Sequence, residues 1–204
     1  MRALQQTACL LAATLLLGGC SVLDKPVRPA VFDFGPGSSG PVAAAAASAA
    51  PVALAEVEAA GAFDSTALLY RLAYADAQQL QPYAQARWSM PPAQLLQQRL
   101  RQSLVQQYRV VREDDTLQPR PRLLRVAIDE FSQVFAAPTD SAGLVRVHAS
   151  VVQAGPAGER LLAQHSFVAQ RPAPSADAPG GVRALTAASD AVVAEIAQWL
   201  RTLP

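Results

Sequence analysis

The stretch LVRVHASVV, 144–152, sets Val145, Val147, Ala149 and Val151 on one side of an extended chain and Arg146, His148 and Ser150 on the other. Strict alternation of this kind is the period of a pleated strand with one apolar face. Such a face is stable only in a sheet that another layer covers. Two flanking runs carry related patterns. RLLRVAIDEFSQVF, 122–135, keeps Leu124, Val126 and Ile128 in one phase and Phe131, Gln133 and Phe135 in the other, which predicts a β-bulge near Asp129-Glu130. RLLAQHSFVAQ, 160–170, aligns Leu161, Ala163, His165 and Phe167, and AGPAG before it reads as a turn.

Earlier in the chain, VFDFG, 31–35, alternates as an edge strand does, and PVALAEVEA, 51–59, sets Val52, Leu54 and, after a slip in phase, Val57 facing inward. TALLYRLAY, 66–74, and YAQARWS, 83–89, flank a turn at 76–81 and predict a hairpin. Pro91-Pro92 open a helix, since a proline in the first turn lacks only an N–H that would have no intrahelical partner. Its apolar stripe is Leu96, Leu100 and Leu104, with Leu95, Val105 and Tyr108 beside it; Gln94, Gln98, Arg101 and Gln102 form a face that is wet or meets a partner. REDDTLQPRP reads as a loop, and so does the Pro/Ala/Gly-rich 172–181. The last helix carries Leu185, Ala188, Val192, Ile196, Trp199, Leu200 and Leu203 on one stripe, with Asp190 and Glu195 outside. The fold class expected is α/β of the α+β kind, a single domain with a mainly antiparallel sheet and two amphipathic helices packed on one face.

The N-terminus is organised differently. A cationic start, Met1-Arg2, precedes an apolar block, 8–17, about half the roughly 20 residues of a spanning helix, and the run stops at Leu17-Gly18-Gly19-Cys20. These four residues resemble the bacterial lipobox, in which the cysteine thiol receives a diacylglyceryl group before the leader is cut just ahead of it. The resemblance implies a signal peptide over 1–19 and Cys20 as the acylated first residue, with diacylglyceryl and N-acyl lipid as the only attached group and no other cofactor. An uncleaved anchor, or an ordinary signal with an incidental Cys20, is the alternative. Acyl chains contribute about 0.8 kcal/mol per buried methylene, so two or three hold a protein on a bilayer. Residue 21 is Ser rather than the Asp that retains lipoproteins at the inner membrane, so the expected address is the periplasmic face of the outer membrane.

Residues 20–30, with Pro26 and Pro29, read as a tether, and 31–204 as the folded domain, interrupted at about 35–51 by GPGSSGPVAAAAASAAP, whose small side chains read as a mobile loop. Removing nineteen residues from 204 leaves 185, the size of one domain. Cys9 leaves with the leader, so no disulfide braces the mature chain. Arg2 leaves too: 17 basic residues less one gives 16, against 16 acidic. That balance argues against nucleic acid and against electrostatic capture by anionic lipid. The single lysine, Lys25, lies in DKP, outside any P-loop, and no later run suits a membrane span.

Two histidines, His148 and His165, raise the idea of a metal or catalytic pair. A two-residue turn at Pro156-Ala157 sets them opposite one another, but a register shifted by one residue aligns the valine face with Leu161, Ala163 and Phe167 and separates them. On that pattern His148 is solvated and His165 half-buried. Spacing suggests no four-ligand zinc site, and GSSG, 37–40, lacks the strand-to-helix setting of a nucleophile elbow. Asp114-Asp115 lies in a charged loop, and the carboxylates of Asp129-Glu130 are expected on opposite faces, which leaves no pair aimed at one atom. The expectation is no enzyme: no catalytic residues and no metal.

The stretch LLYRLAYADAQQLQPYAQARWSMPPAQLLQQRLRQSL, 68–104, together with Cys20 and Phe34-Gly35, resembles the auxiliary lipoprotein component of ABC-type transport systems. Its signature is Tyr70-Arg71 on one strand, Tyr83 and Arg87-Trp88 on the next, then Pro91-Pro92. The resemblance implies a non-enzymatic accessory to an ABC-type intermembrane lipid transport system. Its partner would be a periplasmic mammalian-cell-entry (MCE) domain protein and, through it, the ABC permease and ATPase. A homo-oligomer is compatible with that role. Tyr70, Arg71, Tyr83, Arg87 and Trp88 are amphipathic or bidentate groups suited to partner contact. The competing assignment, favoured by the usual burial of aromatics, makes Trp88 and Tyr70 core and the arginines surface. Two other classes stay open: a stand-alone lipid-binding envelope lipoprotein, which needs a cavity lined by Leu, Val and Phe, and a cell-envelope hydrolase, which needs a convergent polar site.

Overall fold

The computed structural model describes residues 28–37, 51–59, 61–113, 115, 120–155 and 158–203. The leader, most of the tether and most of the alanine-rich stretch lie outside the described residues. Nine strands form one sheet: β1 (Ala30–Phe32), β2 (Pro51–Leu54), β3 (Glu58–Ala59), β4 (Ala67–Leu72), β5 (Leu80–Trp88), β6 (Arg109–Arg112), β7 (Arg122–Ala137), β8 (Asp140–Gly155) and β9 (Gly158–Pro172). A turn of 3-10 helix, Gly61–Phe63, joins β3 to β4, and among the described residues there are two α-helices, α1 (Pro92–Leu104) and α2 (Ala178–Thr202).

Strand β7 is the spine. One edge pairs antiparallel with β8 along nearly its whole length, and β8 pairs in turn with β9. The other edge is shared end to end by three short strands, all parallel to it: β2 beside 122–124, β3 beside 127–128 and β4 beside 133–135. Strand β5 returns antiparallel on β4, β1 lies parallel to β5, and β6 parallel to β2. The sheet is therefore mixed, not mainly antiparallel as alternation suggested. Alternation specifies which face a residue occupies and is blind to strand direction. Parallel neighbours need a long crossover, and the chain from 55 to 108 supplies one to bring β6 beside β2. The slip in phase after Leu54 is the break between β2 and β3, and there Gln97 of α1 accepts a 2.7 Å hydrogen bond from the Val57 amide.

The predicted bulge is present: the β7/β8 register jumps between Ile128 and Glu130. A second shift, between Val151 and Val152, leaves Gly155 paired with Gly158 near the turn and puts Val151 opposite Ala163 and Val147 opposite Phe167 beyond it. Bringing the apolar faces into line required that extra residue, Leu162.

Both helices pack on one face and share a single core with it. Leu96, Leu100 and Leu104 of α1 and Leu185, Ala188, Val192 and Ile196 of α2 are fully buried with Val145, Val147, Ala149 and Val151 of β8. Complete burial of such a Leu, Ile or Val contributes roughly 1.5–3 kcal/mol. Helix α1 ends at Leu104, so Val105 and Tyr108, assigned above to its stripe, lie beyond it, and RVVR forms β6. Helix α2 begins at Ala178, inside the segment read as loop: Asp177 is the N-cap, accepting a 2.7 Å bond from the Gly180 amide, and Pro179 sits in the first turn. The glycines in this region serve close packing. A Cβ on Gly143 of β8 would lie 2.5 Å from the Leu185 amide nitrogen, and one on Gly181 would lie 2.0 Å from Gln133 Oε1.

Candidate docking site

The β4–β5 hairpin carries the residues singled out for partner contact, and the tyrosines on its two strands, Tyr70 and Tyr83, meet. Tyr70 and Tyr83 rings lie 4.6 Å apart, with Phe135 of β7 5.9 Å from Tyr70. The Tyr70 hydroxyl donates to Gln81 Oε1 at 2.8 Å. The Tyr83 hydroxyl donates to Gln133 Oε1 at 2.8 Å, and Gln133 Nε2 donates to Ser141 Oγ at 2.8 Å. Gln133 is fully buried, so its carboxamide satisfies itself by joining β5, β7 and β8 directly under Gly181 of α2. Burial, and then the neighbouring Tyr70 and Asp177, push the Tyr83 phenol up to about 12. It remains a donor throughout the physiological range.

Arg71 points to the opposite, uncovered face, where its guanidinium meets Glu130 at 3.0 Å and reaches the carbonyls of Ala77 and Gln78. Because of the bulge, Asp129 and Glu130 both fall on this face, contrary to the expectation that they diverge; Asp129 meets His148 Nδ1 at 2.9 Å. Each carboxylate is thus held by its own cationic or imidazole partner.

Arg87 is exposed near the β1 edge of the sheet. Trp88 is 1% exposed and belongs to the core, so its part is to hold β5 in place rather than to touch a partner. Its ring packs edge-on against Phe34 and Phe131, both at 5.7 Å. Arg99 of α1 covers that aromatic group: its guanidinium lies 5.8 Å from the Phe34 ring, donates to the Phe34 carbonyl and meets Asp190 of α2 at 3.1 Å. Farther along, Arg201 donates to Gln107 at 3.0 Å. Between these two polar ties runs an open groove of about 550 Å³ between α1 and α2, floored by Phe34, Val193 and Ala194 and walled by Gln102, Ser103 and Gln106.

The histidines are separate, as the pattern register predicted: His148 faces Ser166 on the uncovered face, and His165 lies opposite Ala149 on the helix face. His165 is exposed rather than half-buried, stacked near Trp199 at 6.1 Å, because it stands at the outer edge of the sheet. Among the described residues no group of three or more His, Cys, Asp and Glu side chains is placed to hold a metal ion.

Sequence reading missed Gln133 and Arg99. A signal existed for the first: a glutamine in the inward phase between Phe131 and Phe135 is a buried polar group and needs partners. Arg99, flanking the stripe of α1, has no such mark in the sequence.

The geometry defines one α+β domain built on a long spine strand, with a tyrosine-bearing hairpin clamped beneath a helix N-terminus and polar ties across a helix pair. The family model described as ABC-type transport auxiliary lipoprotein component matches residues 35–197, and the chain belongs to that family. Among solved structures it is similar to protein XCC0632 from Xanthomonas campestris, at 22% identity and a TM-score of 0.62, over 74% of this chain and 83% of that one. It is also similar to an uncharacterised protein, at 13% identity and a TM-score of 0.63, over 85% of this chain and 99% of that one. At these identities the likeness is one of fold. Comparison with curated proteins gave no match.

Proposed function

We propose that the protein is a non-enzymatic docking component, anchored through acylated Cys20 to the periplasmic face of the outer membrane. There it would receive the periplasmic MCE-domain protein of an ABC-type intermembrane lipid transport system. The observation that carries this reading is the family match beginning at residue 35, fifteen positions after a lipobox cysteine. A short tether of mixed charge would keep the domain close to the bilayer, and Tyr70, Arg71, Tyr83 and Arg87 are the hairpin groups from which a contact surface would be built. Trp88 supports them from within. The family name supports the link to an ABC transporter; the MCE partner and the outer-membrane address are our reading.

The alternative of a stand-alone lipid carrier has less support, since the space between sheet and helices is filled by Leu124, Val126, Ile128, Leu185 and Ile196, all buried. Purification of the acylated protein from membranes tests the proposal. Recovery of an MCE-domain protein, with sedimentation in the outer-membrane fraction, is the expected result. Recovery of peptidoglycan enzymes alone, or an unmodified Cys20 by mass spectrometry, would refute it.

A further inference from the structure

The edges of the sheet are unequal. Strands β1 and β6 expose edges of three and four residues, short enough to offer little template for another chain. Strand β9 is 15 residues long and among the described residues pairs only with β8, so there its outer edge presents a row of backbone N–H and C=O groups. Sheet proteins normally blunt such an edge with lysine, proline or inward charges. Here the ten residues 161–170, LLAQHSFVAQ, contain no Asp, Glu, Lys, Arg or Pro. Only the register shift opposite Leu162 interrupts the strand.

Side chains along this edge are those of a recognition strand. On the uncovered face Leu161 and Val168 are 55% and 51% exposed, the exposed large apolar side chains of the long strands. On the helix face His165 stands exposed beside Trp199 of α2. Arg160 and Arg171 flank the uncharged stretch, both exposed, and exposed Arg146 projects from β8 opposite Val168. Glu159 stands beside Arg160 and pairs with Arg125, so the field along the edge is mixed at that end, neutral in the middle and positive at Arg171.

Position in the molecule adds direction. The tether enters at β1, and the path β1-β5-β4-β7-β8-β9 puts β9 five strand spacings away, about 24 Å. Ten residues of tether reach at most roughly 35 Å from an acylated Cys20. That reach exceeds the span from β1 to β9, so the tether leaves the long edge free to stand clear of the bilayer.

We propose that the open edge of β9 takes up an extended segment of a periplasmic partner protein as an added strand. That segment is uncharged along 161–170, carries apolar side chains over Leu161 and Val168, and is acidic where it passes Arg171. Main-chain hydrogen bonds supply affinity, and the alternate side chains supply choice of partner. The identity of the partner as an MCE-domain protein rests on the reading given under Proposed function; the use of the edge does not.

The test places a photoreactive benzophenone amino acid at Leu161, at Val168 and, as a control, at exposed Val31 of β1 in the full acylated chain in its own envelope. Adducts from the two β9 positions that map to one uncharged segment of a single periplasmic protein, with none to that segment from Val31, are expected. If that protein lacks an MCE domain, the partner named under Proposed function fails and the edge assignment stands. Adducts only to a second copy of this chain, or no adduct from β9, overturn the proposal. Leu161→Lys with Val168→Lys should lower binding of the purified partner by on the order of tenfold or more, with an unchanged melting temperature; undiminished binding overturns it as well.

Discussion

Gln133 concentrates the polar stakes of the domain in one side chain. Replacing it with Leu keeps the volume but leaves the Tyr83 hydroxyl and Ser141 Oγ without the partners they have now. We expect Gln133→Leu to cost about 1–3 kcal/mol, read as a lower denaturant midpoint at unchanged slope. Tyr83 gives a separate signature in alkali. Its folded pKa of about 12 lies above the ordinary phenol value near 10, so between these the native state holds a proton that the unfolded chain has lost. Stability should fall as pH rises from about 10 to about 12, and Tyr83→Phe should flatten that slope; denaturation midpoints across this range check it. The sequence showed Gln133 in the inward phase, but a partner on another strand is a tertiary fact that no spacing encodes. Trp88 and Arg87 are adjacent in sequence and opposite in fate because a strand alternates faces, which puts Trp88 in the core and leaves Arg87 exposed.

At the scale of elements, whatever followed from periodicity was legible. The bulge at Ile128/Glu130 showed as a phase change, and the β8–β9 register followed from matching apolar faces. Strand direction and α2's entry did not show. APGG reads as loop because proline and two glycines disfavour a helix interior, yet here they occupy the first turn, where proline is tolerated and glycine admits a neighbour. Strand β6 is four residues long and follows the helix stripe too closely to be distinguished from it. The glycine argument predicts its own failure mode. Gly143→Ala would drive a methyl group into the backbone of α2 at Ala184 and Leu185, which cannot yield as a flexible side chain would. We expect a loss of about 1–3 kcal/mol, visible as a lower melting temperature. Asp177→Ala should also lower it, by removing the cap, whereas Asp177→Ser, which keeps an acceptor, should retain most of the stability.

For the whole molecule, the division of labour between anchor and domain is the decisive property. The described core begins at Phe34, 8% exposed, and every fully buried side chain lies beyond it. On the proposed reading, an anchor built from acyl chains on Cys20 acts on location and not on the energetics of folding. Charge would not substitute for it, because with the proposed leader removed basic and acidic residues are equal in number and present no net attraction to an anionic surface. From this follows a paired expectation for Cys20→Ser. The unfolding midpoint of the domain should stay within about 0.5 kcal/mol of the parent, as for a surface change away from packed groups. The same variant should leave the membrane pellet, while the parent resists a high-salt wash. A domain that unfolded with the loss of the thiol would mean that the N-terminal segment packs into the fold, and a variant still in the pellet after the salt wash would mean that some protein surface, not lipid, does the holding.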